Sequence, residues 1–114
     1  MAIAIKQYRV NGVSGLNAKL IDNAVATGNG EWIDIRGLRN YSVTVSGITT
    51  ATVVISGSND DTKPAAADHG EALGSASTSD ETSSFTAPFR WLKARVSVWS
   101  AGTIDVEIEG NFGS

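Results

Sequence analysis

The chain has 114 residues, of which 41% are hydrophobic and 18% charged, and its formal net charge is −3. This length indicates one domain that is large enough to bury a hydrophobic core. The lack of cysteine excludes disulfides and thiolate metal sites. The nine Lys and Arg residues are dispersed along the chain, which argues against a nucleic-acid-binding face.

The N-terminal sequence MAIAIKQYRV has neither the charged start nor the apolar run of a signal peptide. The chain also lacks a stretch of about 18 apolar residues, so we expect no membrane-spanning segment. We therefore expect a protein that is made in, and released into, a reducing cytoplasm.

The first third of the chain contains several β-prone segments. Residues 1–10 favour a strand but alternate poorly, so we interpret them as an edge strand or as an N-terminal arm that pairs outside its own subunit. Residues 16–22 are a weaker strand candidate. A turn is predicted over 26–30, and a strand over 31–37, where isoleucines alternate with polar residues.

The segments 41–47 and 51–57 are predicted to form a β-hairpin. Both are rich in β-branched residues that alternate with polar ones, which suits a half-buried pleated surface. Matching their apolar faces places Val45 opposite Val53 and leaves residues 48–50 as the turn.

Residues 58–81 are predicted to form a long polar loop. The segment is rich in small and polar residues, carries glycine and proline, and allows at most a short strand near 71–75. A connection of this length in a compact domain is usually functional or mobile, which makes it a candidate contact region. A further short strand is predicted over 82–87.

The residues 89–112 alternate strictly between apolar and polar side chains and predict a second hairpin. Matching the two apolar faces places Val98 opposite Ile104 and leaves residues 100–102 as the loop. A three-residue hairpin loop needs a residue with positive φ at its end, which Gly102 supplies.

The same register predicts two ion pairs on the outer face of this hairpin, Arg95 with Glu107 and Lys93 with Glu109. Each exposed pair contributes only about 0.2–1 kcal/mol. Because a slip of one residue would bury these charges, the pairs serve mainly as support for the register.

Seven to nine short strands with no substantial helix define the predicted fold class. We expect an all-β protein, an antiparallel β-sandwich of the jelly-roll or Ig-like type, in one domain over residues 1–114. The pattern leaves the strand order open.

No group of residues indicates an active site. His69 is the only histidine and lies in the polar loop, and no nucleophile-elbow sequence accompanies it. Asn59, Asp60 and Asp61 offer oxygen ligands for calcium, but such residues are also common in turns, and their spacing is not that of an EF-hand. We expect no catalytic residue, no metal and no cofactor, with calcium kept as a minor alternative.

Three carboxylates on the last predicted strand have a spacing that resembles a glycosidase pair. Asp105, Glu107 and Glu109 would lie on one face about 6–7 Å apart. Pairing with Lys93 and Arg95 across the hairpin explains them without catalysis.

The tryptophans are candidates for binding. Trp91 and Trp99 lie about 26 Å apart along their predicted strand, which is too far for one sugar-stacking platform. One is interpreted as a cap on the core and the other as an interface anchor, since Trp and Arg are enriched at binding hot spots. Trp32 is open to both interpretations.

Three segments carry a family resemblance: GEWIDIRGLRNYSVTVSG, TVVISGSND and FRWLKARVSVWSAGTIDVEIEG, which together span residues 30–110. A strand that ends in a Gly-Ser-Asn-Asp turn, a polar loop, an aromatic- and Arg-rich strand and a closing strand follow one another. This layout is similar to that of small β-sandwich structural proteins of tailed bacteriophages, many of which are capsid decoration (cement) proteins.

The resemblance implies a non-enzymatic virion component that is made in the host cytoplasm. The first expectation is a capsid decoration protein, a homo-oligomer with a trimer favoured, whose partners are the major capsid protein or other virion proteins. The alternatives are a neck, tail or fibre-attachment protein and a carbohydrate-binding module. Contacts are expected from edge strands, loops and the N-terminal arm. The candidate interface residues are Ile3, Ile5, Tyr8, Trp32, Trp91, Arg95 and Trp99.

Overall fold

The computed structural model describes residues 5–10, 13–35, 38, 40–86 and 89–111. These residues form eight strands and no helix, so the predicted all-β class is confirmed, and all the strands belong to one antiparallel sheet. The strands are β1 (Ile5–Val10), β2 (Val13–Ala24), β3 (Gly28–Asn29), β4 (Ile33–Asp34), β5 (Asn40–Ser58), β6 (Glu71–Ala72), β7 (Glu81–Phe85) and β8 (Trp91–Asn111).

Two long strands, β5 and β8, organise the sheet. They pair with each other in antiparallel fashion along their whole length, from Asn40 opposite Asn111 to Ser58 opposite Trp91. Each of the two hairpins predicted from the sequence is instead a single continuous strand. The alternation of side chains is correct, but the partner of each strand segment is a distant segment and not the adjacent one.

The first predicted hairpin register is therefore wrong. Val45 lies opposite Val106, and Val53 lies opposite Val96. All four of these valines are buried. An apolar face of period two fits any other such face equally well, so periodicity alone could not choose between the neighbouring and the distant partner.

The second predicted hairpin is wrong in the same way. Val98 lies opposite Thr52, and Ile104 lies opposite Ala24 of β2. The side chain of Val98 is 54% exposed, whereas that of Ile104 is fully buried. The alternating face of β8 thus leaves the core near its midpoint and returns to it further along the strand.

The two ion pairs predicted from that register are also wrong. Arg95 lies opposite Val54, and the midpoint of β8 separates both Arg95 and Lys93 from Glu107 and Glu109. The charges matched in the sequence because each half of β8 carries polar residues on its outer positions.

A bend interrupts the β5–β8 ladder where both turns were predicted. The register shifts several times between Ser46 and Ala51, and two glycines have positive φ there, Gly47 at 82° and Gly102 at 117°. A Cβ on Gly47 would lie 1.8 Å from the carbonyl oxygen of Thr103. The positive φ predicted for Gly102 is confirmed, but it bends a long strand and does not close a hairpin.

The other strands complete the sheet differently on the two sides of the bend. On one side the order is β1-β2-β8-β5-β7, and on the other β3 and β4 pair with β8 while β6 pairs with β5. The chain from β2 to β4 therefore follows β8 along both halves. β1 joins β2 in register from Ile5 opposite Ala18 to Val10 opposite Val13.

Segment 58–81, predicted as a loop, is hydrogen-bonded to the edge of β5 that faces away from β8. The strand β6 lies where the sequence allows a short one, the amide of Leu73 donates to the carbonyl of Ile55 at 2.8 Å, and Ser77 forms a bridge with Val53. These backbone bonds hold the segment against the half of the sheet that contains β3 and β4.

One hydrophobic core lies on a single face of the sheet. The buried hydrophobic side chains of β5 are at odd-numbered positions and those of β8 at even-numbered positions on both sides of the bend, so the two halves turn the same face toward the core. Burial of each large aliphatic side chain contributes about 1.5–3 kcal/mol. The core residues are Leu16, Ala18, Leu20, Ile21, Ala24, Ile33, Ile35, Leu38, Tyr41, Val43, Val45, Ala51, Val53, Ile55, Leu92, Ala94, Val96, Ile104, Val106 and Ile108.

Candidate interaction surfaces

A buried lysine and a buried tryptophan fasten the first part of segment 58–81 to the sheet. Lys93 is completely buried, and its Nζ donates to the carbonyl of Ala66 at 2.7 Å and to Oδ1 of Asn29 at 3.3 Å. The ammonium also lies 5.1 Å from the ring centroid of Trp32, whose Nε1 donates to the carbonyl of Ala65 at 3.0 Å. A desolvated cation–π contact of this kind is worth about 2 kcal/mol.

The environment of Lys93 disfavours its charge. Burial lowers the pKa of Lys93 from 10.5, the positive charge of Arg95 lowers it further, and the carboxylate of Asp68 partly offsets both effects. The alternation along β8 predicts this lysine on a solvated face. Since its hydrogen-bond partners are one backbone carbonyl and one side-chain amide oxygen, no charge pattern in the sequence pointed to this position.

Trp32 was a candidate interface residue, and the structure places it inside the protein. Its side chain is 2% exposed. Its polar atom and its ring are both occupied by the protein's own groups, so it offers no surface to a partner.

A second set of bonds holds the start of the same segment. The indole Nε1 of Trp91 donates to the carbonyl of Asp60 at 3.0 Å, and the backbone amide of Arg90 donates to Oδ1 of Asn59 at 3.0 Å. The guanidinium of Arg90 lies 5.4 Å from the Trp91 ring centroid. Trp91 is half-buried, so only part of it remains available to a partner.

Trp99 and Arg95 lie on the same long strand. Trp99 is half-buried against the core, and its Nε1 donates to the carbonyl of Gly102 at 2.9 Å, so its ring braces the bend. Arg95 is also half-buried, with its backbone opposite Val54 and Asn29. Neither residue forms a cluster with the other tryptophans.

Three predicted interface residues belong to the N-terminal region. Ile3 lies outside the described residues. Ile5 and Tyr8 lie on β1, opposite Ala18 and Gly15 of β2. Among the described residues β2 is the only strand that pairs with β1, so β1 forms one edge of the sheet.

The candidate catalytic and calcium-binding residues do not assemble into a site within the described part of the chain. His69 is exposed. Asn59 accepts the Arg90 amide, and the amide of Asp60 donates to Oγ of Ser58 at 3.3 Å, as expected for a turn. The described residues contain no group of three or more His, Cys, Asp or Glu side chains that could hold a metal ion.

The carboxylates at the end of β8 contact a lysine from β2. Nζ of Lys19 lies 3.2 Å from Oδ1 of Asp22, 3.4 Å from Oδ1 of Asp105 and 4.0 Å from Oε1 of Glu107. The hydrogen bond to Asp22 is the main cause of a raised pKa of Lys19, and Asp105 adds to it. Oδ1 of Asp105 also accepts the backbone amide of Asn23 at 3.0 Å, so this carboxylate supports the strand and its neighbouring turn.

The second edge of the half-sheet that contains β1 is formed by β7, and it is not apparent from the sequence. β7 pairs with β5 from Tyr41 opposite Phe85 to Val45 opposite Glu81, and in the described residues its other side has no strand partner. The segment 80–85 carries two carboxylates and no basic residue. A polar strand of five residues has too little apolar alternation to reveal whether it is central or at an edge.

The fold is similar to that of one solved structure, the SPBc2 prophage-derived protein YomS. The two share 15% sequence identity with a TM-score of 0.70, and the match covers 91% of this chain and 98% of that one. No family model and no curated protein matches the sequence. The similarity therefore establishes a shared fold over nearly the whole of both chains.

The described part of the chain contains no helical segment that could traverse a lipid bilayer.

Proposed function

We propose that this chain is a non-enzymatic structural component of a tailed-phage particle, and that it acts as a capsid decoration protein. The observation that carries the proposal is the fold, which matches a prophage-derived protein from end to end. The sequence resemblance to phage structural proteins leads to the same class by a separate route.

The arrangement of polar groups supports a role in covering neighbours. The side chains with unusual environments, Lys93 and Trp32, bind the protein's own backbone, and the carboxylates near Lys19 brace strands. The half-sheet β1-β2-β8-β5-β7 offers two sheet edges, β1 and β7, to another protein. A decoration protein stabilises a shell by burying area between subunits, for which exposed edges and loops are suited.

The test is to measure the chain in purified particles of the phage that encodes it. Particles are separated on a density gradient, and the chain is quantified by mass spectrometry relative to the major capsid protein. Hundreds of copies per particle are expected for a decoration protein, whereas about a dozen or fewer indicate a neck, tail or fibre-attachment protein, because those positions have low cyclic symmetry. Absence from the particles would refute both forms of the proposal.

Binding to preformed shells distinguishes a decoration protein, which attaches to the outer surface of a shell, from a protein that is assembled inside the particle. Purified protein is mixed with expanded shells that lack it, and the mixture is sedimented and imaged. Co-sedimentation at regular surface positions is expected, and protein alone should remain at the top of the gradient.

The carbohydrate-binding alternative predicts a change in tryptophan fluorescence on addition of glycans. The indole nitrogens of Trp32, Trp91 and Trp99 each donate to a backbone carbonyl within the protein, at distances of 3.0, 3.0 and 2.9 Å. We therefore expect no response to glycans.

A further inference from the structure

We propose that residues 60–69 form a strap that opens and closes over the face of the sheet opposite the core, while the rest of the fold stays intact. The strap begins after Asn59, whose Oδ1 accepts the amide of Arg90, and ends just before β6. In the closed form it covers Trp32 and Lys93. Only in the open form do these two side chains become accessible to another molecule.

The strap adds little to the packing of the protein. Of residues 60–69 only Pro64 is buried. Among the described residues, the strap forms one backbone hydrogen bond within itself, from the amide of Asp68 to the carbonyl of Ala65 at 3.0 Å, and none to a strand, whereas β6 directly after it pairs with β5. A segment with few buried apolar contacts and no strand pairing opens at a lower free energy than the sheet on which it lies.

Two side chains of the sheet hold the middle of the strap closed. Nε1 of Trp32 donates to the carbonyl of Ala65 at 3.0 Å, and Nζ of Lys93 donates to the carbonyl of Ala66 at 2.7 Å. Both acceptors are backbone carbonyls of exposed residues. Water can accept these donors and supply these carbonyls when the strap opens, so the net gain from each bond on closing is modest.

The contacts at the start of the strap are exposed. Nε1 of Trp91 donates to the carbonyl of Asp60 at 3.0 Å, and Nζ of Lys63 lies 3.8 Å from Oε1 of Glu31. The side chains of this ion pair are 51% and 63% exposed, and such a pair contributes little to stability. The start of the strap is therefore held no more firmly than its middle.

The charge of Lys93 works against the closed form. Burial and the nearby charge of Arg95 lower the pKa of Lys93 from 10.5, and Asp68 in the strap offsets only part of this effect. Removing an ion from water costs free energy that the hydrogen bonds and the ring of Trp32 must return. Closing the strap thus gives a defined geometry at a low net stability.

The ring of Trp32 fills the space under the end of the strap. A Cβ on Gly70, directly after the strap, would lie 2.6 Å from Cη2 of Trp32 and 2.6 Å from the carbonyl oxygen of Gly57. Ser56, which lies opposite Lys93 in the ladder, is 2% exposed on the same face. The strap therefore closes over a small cluster around one aromatic ring, on the face away from the main core.

Hydrogen exchange tests the opening in the unmodified protein. The Nε1 proton of Trp32 is buried and bonded to the carbonyl of Ala65, so it exchanges only when this contact breaks. Its exchange is followed by NMR at several urea concentrations below the unfolding transition and corrected for intrinsic rates. It should be at least about 10-fold faster than that of the most protected amides of the β5–β8 ladder. Its dependence on urea should also be weaker, because opening the strap exposes less surface than unfolding.

A matched pair of glycine variants links this exchange to the strap. Gly70 and Gly74 both have positive φ, at 60° and 66°, but a Cβ on Gly74 would come no closer than 3.7 Å to the ring of Phe85. Gly70→Ala should speed exchange of the Trp32 proton by about 5-fold or more, because overpacking destabilises the closed form. Gly74→Ala should leave this exchange unchanged, since its strain is present in the open and closed forms alike. Circular dichroism verifies that both variants are folded.

Two results would overturn the proposal. A Trp32 proton that exchanges at the rate and with the urea dependence of the ladder amides would show that the strap opens only when the whole chain unfolds. Equal effects of Gly70→Ala and Gly74→Ala on this proton would show that its exchange does not report the strap. Both measurements are independent of the proposed function, since they are made on the isolated protein.

Discussion

Disulfide trapping tests the β5–β8 ladder directly, because the chain has no cysteine of its own. Thr44 and Glu107 are exposed and lie opposite each other in the ladder. Directly opposite residues have Cβ atoms about 4.5–5.5 Å apart, so a small adjustment brings two cysteines to disulfide distance. We expect the double variant Thr44→Cys/Glu107→Cys to form this bond under mild oxidation.

The size of the effect follows from the sequence separation of the two strands. The bond would close a loop of about 60 residues, for which the loss of entropy in the unfolded chain corresponds to about 4 kcal/mol of stabilisation. The free energy of unfolding is measured by urea titration of the oxidised and reduced forms. Strain and the loss of the contact between the hydroxyls of Thr44 and Thr82 at 2.9 Å reduce the gain, so an increase of about 2–4 kcal/mol is expected.

The matched control keeps Glu107→Cys and moves its partner to Arg95, the residue predicted opposite it in the hairpin interpretation. In the structure the bend separates these two positions of β8, so Arg95→Cys/Glu107→Cys should stay reduced within the monomer. Rapid intramolecular oxidation of this control, together with no bond in the Thr44 variant, would refute the continuous ladder and restore the hairpin.

Three further predictions follow from the packing. Gly47 and Gly74 both have positive φ, but only a Cβ on Gly47 would overlap backbone atoms. In urea titrations Gly47→Ala should therefore lower the free energy of unfolding by about 3 kcal/mol or more, and Gly74→Ala by only about 1 kcal/mol. Equal losses would contradict the bend. Burial lowers the pKa of Lys93 in the folded protein below 10.5, so at pH values just under 10.5 the unfolded chain binds more protons than the folded one. The free energy of unfolding of wild type, relative to that of Lys93→Met, should therefore rise with pH in this range. A difference between the two proteins that does not change with pH would show that this lysine is solvated. Burial raises the pKa of Tyr41 above 10.0, so wild type should lose stability above pH 10, and Tyr41→Phe should lose less over the same range, as followed by thermal unfolding.

The local elements of the fold could be predicted, whereas their partners could not. Alternation identified the buried faces of both halves of β5 and β8, and the requirement for positive φ identified Gly102. The choice between a hairpin and a long ladder depends on whether Gly47 and Gly102 reverse the chain or bend it, and a glycine permits both. The strongest hairpin signal in the sequence is Asn11-Gly12, which lies between β1 and β2.

The candidate surfaces were predicted less completely than the fold. Within residues 1–10, predicted as an edge strand or an arm, β1 covers Ile5–Val10 and residues 1–4 lie outside the described part of the chain. The edge at β7 had no signal in the sequence. Alternation correctly places Trp32 and Lys93 on the face of the sheet opposite the core. That face was taken to be exposed to solvent, so both residues were predicted to lie on an outer face. Segment 58–81 covers that side, and a sequence cannot show which loop lies over which strand.

The β5–β8 ladder also has a consequence for how the protein reaches its native state. Its most local pair, Ser58 with Trp91, is already separated by roughly 30 residues, and each pair nearer the ends spans more chain. The intervening chain must therefore be brought together before any ladder bond forms, and topologies dominated by such distant pairings fold in milliseconds to seconds. During that interval both strands expose apolar faces to solvent, so newly made chains depend on rapid closure of this central pair to avoid aggregation.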